Sequence, residues 1–227
     1  MAPLAPSLRL HAVDTGEDLA FEPKRLIVAG YTGRDTEAVQ AHIDELAAIG
    51  VPPPPSVPAF YDLDPALLTT GPIVEINGDN TSGEAEPVLV RHGGRYYLGV
   101  GSDHTDRDLE RTDIAASKAA CPKPFADRVL TLPGDLTALD WDGIALASTV
   151  DGAEYQRGTL AALRTPDDLL ARLTDTLGDL AGDLIVFGGT LPLLTGAFRP
   201  GIRWRAVLRV GTTALTCSYD TERRRTS

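Results

Sequence analysis

Glu84-Ala85-Glu86-Pro87-Val88-Leu89-Val90, followed at residues 101–110 by GSDHTDRDLE and then by Lys118, is the stretch on which the reading of this chain turns. A Glu-x-Glu pair on a strand points both carboxylates to the same face, because strand side chains alternate with a period of two. Carboxylates ~4 Å apart repel by ~4 kcal/mol at an effective dielectric near 20. A fold that gathers Glu84, Glu86 and Asp103 therefore needs a proton or a cation between them, and a hard divalent metal is the simplest candidate. The plain alternative is three solvated surface charges. Against it, Glu86 leads straight into an apolar strand, where an unpaired carboxylate is costly. The loop bearing Asp103 follows the strand Tyr96 to Val100, and strand ends gather binding residues. Pro87 lacks a backbone donor and predicts a sheet edge or a bulge.

Working outward, seventeen prolines and twenty-two glycines cut the sequence into short elements, the pattern of a mainly β, α+β fold. Strands are expected at 7–13, 25–30, 57–61, 73–76, 84–91, 95–100, 143–150, 184–187 and 204–219. One helix follows Asp35 as its cap, with Val39, Ile43 and Leu46 at helical spacing, and ends at Gly50. A helix is expected over 107–118. Another covers 166–178, opened by Pro166 and carrying a stripe of Leu169, Leu170, Leu173 and Leu177. Residues 1–24 read as an N-terminal strand or arm packed on the main domain, 25–220 as the catalytic domain, and 221–227 as a flexible tail.

The length of 227 residues suits one domain with a substantial core. A formal net charge of −11 disfavours nucleic acid as a partner. No apolar run approaches the ~20 residues of a membrane span, and the N-terminus has no signal-peptide pattern. Two cysteines are too few for a disulfide framework, so a cytoplasmic setting is expected.

Several further residues invite a chemical reading. His42 and Glu45 are three apart on a helix, so the carboxylate could orient the imidazole; spacing alone favours a half-buried histidine beside a solvated glutamate. Lys118 lies in a small, apolar setting and could neutralise a developing enolate, or could be an exposed helix-end lysine. Gly188-Gly189-Thr190 end the apolar strand 184–187, where glycine permits close backbone approach and the Thr190 hydroxyl can donate; the alternative is a tight turn. His104 reads as a hydrogen-bonding neighbour, with ligation as the alternative. Cys121 reads as buried. Phosphate-loop and nucleophile-elbow motifs are not found.

In five segments of the same order, spanning roughly residues 25–220, the chain resembles the fumarylacetoacetate hydrolase family. EAEPVLV and GVGSDHTDRDLE are similar to that family's EAELAVVI and GNDVSARDLQ. Lys118 before Cys121-Pro122 resembles its lysine and CP loop, and Gly189-Thr190-Leu191-Pro192 its GTPxGVG loop. Val150 to Gln156 with Thr159 resembles VNGExRQ…T. His42-Ile43-Asp44-Glu45 before the proline run resembles its HxxE helix.

The resemblance implies a mixed β-sandwich roll with a few peripheral helices, and a homodimer. It implies Glu84, Glu86 and Asp103 as ligands of Mg²⁺ or Mn²⁺, with Ca²⁺ as a further candidate. His42, Glu45 and Lys118 become the catalytic residues. Arg107, Gln156, Gly189 and Thr190 become substrate contacts, although Arg107 could equally form a structural salt bridge to Asp108 or Glu110. Three departures point to a divergent branch: Pro87 in place of leucine, twelve residues from Gly30 to His42, and only fifteen from Asp103 to Lys118, which makes Lys123 the fallback lysine.

The implied activity is metal-dependent hydrolysis of a C–C bond in an acylpyruvate-type β-diketo acid. Oxaloacetate decarboxylation, keto–enol tautomerisation and dehydration of a 2-oxo-3-deoxy sugar acid use the same metal-bound enolate. A non-catalytic metal or small-ligand binding protein, or a structural partner protein, are the readings from other classes.

Overall fold

The apolar runs at 25–30, 88–90 and 184–187 become the centre of an eight-stranded sheet. Such runs suit strands covered on both faces. The computed structural model describes residues 7–48 and 53–224, apart from the side chains of His42, Glu45 and Leu46. Across the sheet the order is Asp18–Phe21, Leu8–Ala12, Arg128–Thr131, Arg95–Ser102, Ala85–His92, Leu184–Phe187, Arg25–Gly30, Ala59–Leu63. Neighbours are antiparallel except for two pairs, Leu8–Ala12 with Arg128–Thr131 and Leu184–Phe187 with Arg25–Gly30.

Alternation sends successive side chains into two different cores. Ile27, Leu89, Leu98, Val100 and Val186 face a second sheet of five strands, ordered Ala153–Thr159, Ala145–Val150, Arg203–Val210, Thr213–Arg223, Ile73–Ile76. Trp204, Leu208, Leu215 and Tyr219 answer from that sheet. Val28, Val88, Val90, Tyr97, Ile185 and Phe187 face the other way. Leu10, Leu19 and Phe21 from one end of the large sheet join them there, as does Leu63 from the other end. The sheet is therefore curled on itself, giving the mixed β-roll expected.

Helices are few and peripheral. Helix α1, Thr36–Ala48, begins where the Asp35 carboxylate accepts the N–H groups of Glu37 and Ala38 at 3.0 Å each. Residues 107–118 form two helices and not one: α2, Arg107–Glu110, and α3, Ile114–Ala119. Two aspartates start them, Asp106 capping Asp108 and Leu109 and Asp113 capping Ala116. Helix α4, Pro166–Leu177, buries Leu169 and Leu173 against the two-sheet core and stops at Gly178.

Other boundaries move. Residues 204–219 are a hairpin, Arg203–Val210 and Thr213–Arg223, because the glycine at 211 turns the chain at φ 55°. Thr221, Glu222 and Arg223 therefore lie in a strand, registered with Val74, Glu75 and Ile76; residues 225–227, like Gly50, lie outside the described residues. The short strands Asp18–Phe21 and Arg128–Thr131 were not expected, nor was Ala153–Thr159. Pro87 is not at an edge but in a central strand. Its carbonyl accepts the Gly188 N–H at 2.9 Å just where the neighbouring strand ends, so the missing N–H faces the side on which pairing has stopped.

Gly101 and Gly99 share one strand and one face but not the same surroundings. A Cβ on Gly101 would lie 2.7 Å from Phe187, 2.9 Å from the Pro124 carbonyl and 2.9 Å from Val88, whereas on Gly99 its nearest contact would be 3.5 Å. Gly101→Ala is expected to cost ~1–3 kcal/mol by overpacking, with Gly99→Ala close to neutral. Urea unfolding of the two variants checks this; equal midpoints would contradict the packing described.

Candidate active site

The two strands that meet at Ala85–Ser102 deliver the acidic residues. Glu86 stands opposite Gly101, and the Asp103 N–H donates to the Glu84 carbonyl at 2.9 Å just beyond the last pair. By alternation Glu84, Glu86 and Asp103 share the face that carries Val88, the inside of the roll. Asp103 has no solvent exposure, Glu86 has 3% and the Glu84 side chain 14%.

Asp103 is bound by two lysines, one on each oxygen. The Lys118 ammonium, at the end of α3, pairs with Oδ2, and the Lys123 ammonium lies 3.1 Å from Oδ1. Burial raises the Asp103 pKa, but the two lysines outweigh it and hold the carboxyl well below its ordinary value. Burial lowers Lys118, while Asp103, Glu84 and Glu86 together keep it above the usual lysine value. All three carboxylates thus act on one ammonium, and the Tyr61 ring lies 5.5 Å from its nitrogen. Burial lifts the Tyr61 hydroxyl to about 12. Tyr31, at φ 56° directly after the strand Arg25–Gly30, is also within reach of the Lys118 and Glu110 charges. Neither tyrosine was legible as a site residue, since the features that mark them are a backbone dihedral and a neighbour distant in sequence.

Glu84 and Glu86 are held differently. Arg107, 4% exposed, donates to Glu84 Oε2 at 3.0 Å, to both oxygens of Glu110 at 2.9 Å and to Ser82 Oγ at 2.6 Å, and the Phe198 ring lies 3.6 Å from its guanidinium carbon. Its donors are spent within the protein, so the salt-bridge alternative describes what the structure shows, with Glu84 added to Glu110. Asp108 instead accepts from Asn80. Glu86 has no such cation. Its Oε2 accepts the Gly189 N–H at 2.9 Å. Gly189 must be glycine, because it sits at φ 94° and a Cβ there would fall 1.7 Å from Thr32 Oγ1.

Gln156, 1% exposed, is a clasp. Its Oε1 accepts from the Ala85 N–H and Ser148 Oγ at 2.9 Å, and its Nε2 donates to Thr190 Oγ1 at 2.6 Å and to the Leu191 carbonyl at 2.8 Å. Thr190 in turn donates to the Ala85 carbonyl. Both residues, read as substrate contacts, tie the Glu84–Glu86 segment to the second sheet and the glycine turn. His104 is buried and kept neutral, its pKa lowered to about 3 by burial, and both ring nitrogens are committed, to Tyr219 Oη and Thr81 Oγ1 at 2.9 Å. His42 and Glu45 lie on α1, with side chains outside the described residues.

The donor chemistry fits a hard divalent cation. The candidate donors, Glu84, Glu86 and Asp103, are all oxygen. Burial lifts Glu86 well above the ordinary carboxylate value and Asp103's charge lifts it further, leaving a buried carboxyl without a cation of its own. Asp103 Oδ1 makes no hydrogen bond of good geometry, although Lys123 is within ion-pair distance. The arrangement is nonetheless not a ready cage: among the described residues no three Asp, Glu, His or Cys side chains converge to hold a metal, and the Lys118 ammonium is paired with Asp103.

Comparison with known proteins adds the family. The model of the family described as Protein of unknown function (DUF2848) matches residues 29–219. No curated protein matches the sequence. Among solved structures, the chain is similar to a provisionally assigned fumarylpyruvate hydrolase from Burkholderia cenocepacia, with 17% identity, a TM-score of 0.66, and coverage of 99% of this chain and 95% of that one. It is similar to the 5-carboxymethyl-2-hydroxymuconate delta-isomerase of Mycobacterium smegmatis, with 16% identity, a TM-score of 0.60 and coverage of 93% and 87%. Yeast ynq8, a fumarylacetoacetate hydrolase family protein, gives 16%, 0.61, 90% and 95%. At these identities the likeness speaks for the fold.

The unpaired state of Glu86 has a measurable consequence. A carboxyl whose folded pKa is raised binds protons that the unfolded chain has released; the stability it confers is full below the ordinary value of 4.5 and is lost as pH rises. In metal-free buffer Glu86→Gln, which keeps an acceptor for Gly189, is expected to exceed the wild type by ~1–2 kcal/mol at pH 8. The gain should vanish towards pH 4. Thermal unfolding across that range checks it, and a Tm below wild type at pH 8 would contradict the assignment.

Proposed function

We propose a function from one premise: the chain belongs to the DUF2848 family and is built on the fumarylacetoacetate hydrolase fold. We infer that it is an enzyme acting on a small anionic 2-oxo acid, and most simply a hydrolase of the C–C bond in an acylpyruvate-type β-diketo acid. The observation that carries this reading is the Lys118 ammonium, 9% exposed at its side chain, among three carboxylates at the end of two strands. A site of that charge pattern suits a substrate that brings a carboxylate and develops an oxyanion.

Glu84, Glu86 and Asp103 would hold Mg²⁺ or Mn²⁺, and the ion when bound would supply Lewis acidity to the substrate's carboxylate and keto oxygens. The remaining work falls to the chain. In this reading His42, with Glu45 one turn along the helix, takes a proton from water, and the water oxygen adds to the distal carbonyl. The bond between that carbon and the central methylene breaks, releasing a carboxylic acid. The electron pair of that bond passes into the enolate of the other fragment, where the Lys118 ammonium neutralises the oxygen, and the His42 imidazolium returns its proton to carbon. Gly189 keeps Glu86 in place through its N–H, and Arg107 does the same for Glu84. The reading extends to a cytoplasmic homodimer; the two cysteines are free and buried.

Thermal unfolding with and without Mg²⁺ or Mn²⁺, followed by ultraviolet loss of an acylpyruvate panel, tests the proposal. Saturation at a hundred times Kd is expected to stabilise by ~2.7 kcal/mol. Glu84→Ala should lose metal response and turnover together. Lys118→Met should lower kcat by ~10²–10³-fold. Oxaloacetate and sugar-acid substrates in the same plate separate decarboxylation and dehydration from hydrolysis. Stabilisation with no turnover of any 2-oxo acid would favour a binding protein, and full activity of Glu84→Ala without metal would overturn the scheme.

A further inference from the structure

Lysine is scarce in this chain: three stand against eighteen arginines. Lys24 is exposed, and the other two converge on Asp103. Of those two, Lys123 has no solvent exposure at all. Its ammonium is ringed by four oxygens: the carbonyls of His104 at 2.6 Å, of Cys121 at 3.1 Å and of Lys118, and Asp103 Oδ1 at 3.1 Å. Burial lowers the Lys123 pKa from its ordinary value and Asp103 opposes that shift. An ammonium has three donors and no acceptor, so a ring of oxygens favours the charged form, whereas a neutral amine would turn its lone pair towards an oxygen. The same ring leaves no approach for a substrate.

The backbone around Lys123 is equally fixed. Pro122 and Pro124 flank it, and it pairs in parallel with Leu68. Lys118 is different. It sits in the last turn of a six-residue helix, its ammonium rests on one carboxylate oxygen, and its side chain, though buried, keeps 9% exposure where that of Lys123 has none. Movement of Lys118 towards a substrate would strand a fully buried carboxylate unless a second cation stayed behind, and a stranded buried charge is strongly unfavourable.

We propose that Lys123 is the positioning residue of the site, a tethered internal cation. It fixes Asp103 through Oδ1 and the end of α3 through the Lys118 carbonyl, so that the Lys118 ammonium is free to leave Oδ2 for an anion. This rests on the reading of Lys118 as the group that meets the substrate. It assigns the two lysines separate roles: Lys123 stays and Lys118 moves.

The small lysine count makes the test direct. In protein labelled with ¹⁵N-lysine, the Lys123 ammonium protons are expected to exchange with solvent at least ~100-fold more slowly than those of Lys24, as groups without solvent contact do. Addition of oxalate, a probe carrying adjacent carboxylate oxygens, should move the Lys118 signal and leave Lys123 in place. Lys123→Met leaves Lys118 as the sole counter-ion of Asp103, so modification of Lys118 by an amine reagent should slow ~10-fold, with Lys24 as the control. Loss of a merely structural contact would loosen α3 and speed that modification. Exchange at Lys123 as fast as at Lys24, or faster modification of Lys118 in folded Lys123→Met, would overturn the proposal. Should that variant fail to fold, the exchange measurement on the unaltered protein decides alone. Protection of Lys123 with no response of Lys118 to oxalate would leave Lys123 as the fixed counter-ion of Asp103, but would overturn the movement of Lys118 and count against the 2-oxo acid reading.

Discussion

A carboxylate removed entirely from water needs positive charge beside it, and Asp103 has two lysine ammoniums, one on each oxygen. Much of the neighbouring structure is arranged to keep them there. The Asp113 cap starts α3 where it must start for Lys118 to reach Oδ2. The prolines on either side of Lys123 fix its backbone, and three carbonyls take up the ammonium protons. Buried ion pairs rarely stabilise a fold relative to an apolar filling of the same volume. A cluster of this kind inside a roll otherwise lined by Val88, Phe125 and Phe187 therefore has a better explanation in chemistry than in stability.

The carboxylates around Asp103 are not equivalent. Glu84 is neutralised by Arg107, which also binds Glu110 and lies under Phe198. Glu86 has one backbone donor and only a share in the Lys118 charge that Asp103 holds, and burial opposes its ionisation. That asymmetry singles out Glu86 as the place where extra charge, from a proton or a hard cation, would be accepted. It also explains the turn at Gly189, whose left-handed backbone brings an N–H to Glu86 against Thr32 with no room for a side chain. Gln156 completes the frame by fastening the backbone of Ala85 to the second sheet, so both sheets determine where the two glutamates point.

The sequence carried the fold further than it carried the site. The central strands were legible because they are buried on both faces and so read as continuous apolar runs, and the boundaries at 25–30, 73–76 and 184–187 were placed correctly. α1 and α4 were legible from Asp35, Pro166 and their leucine and valine spacing. Asp18–Phe21 and Arg128–Thr131 are four-residue strands with too few alternations to register, the first at the edge of the sheet and the second between two neighbours inside it. The single helix expected over 107–118 is two in the structure, because the Asp113 carboxylate caps a second start through the Ala116 N–H.

What the sequence determined by itself was the set of groups: Glu-x-Glu alternation places two carboxylates on one face, the next strand end supplies a third, and a lysine follows in an apolar context. Those are local facts, set by backbone periodicity. Pairing was decided only by the tertiary structure. Arg107 is spent on Glu84 and Glu110, Gln156 is saturated by Ala85, Ser148, Thr190 and Leu191, and Lys123 is enclosed by carbonyls that no spacing rule reveals. Charge and hydrogen-bond capacity are properties of residues, whereas their satisfaction depends on which groups a curled sheet brings within 3 Å of one another, and that is settled by packing between segments far apart in the chain.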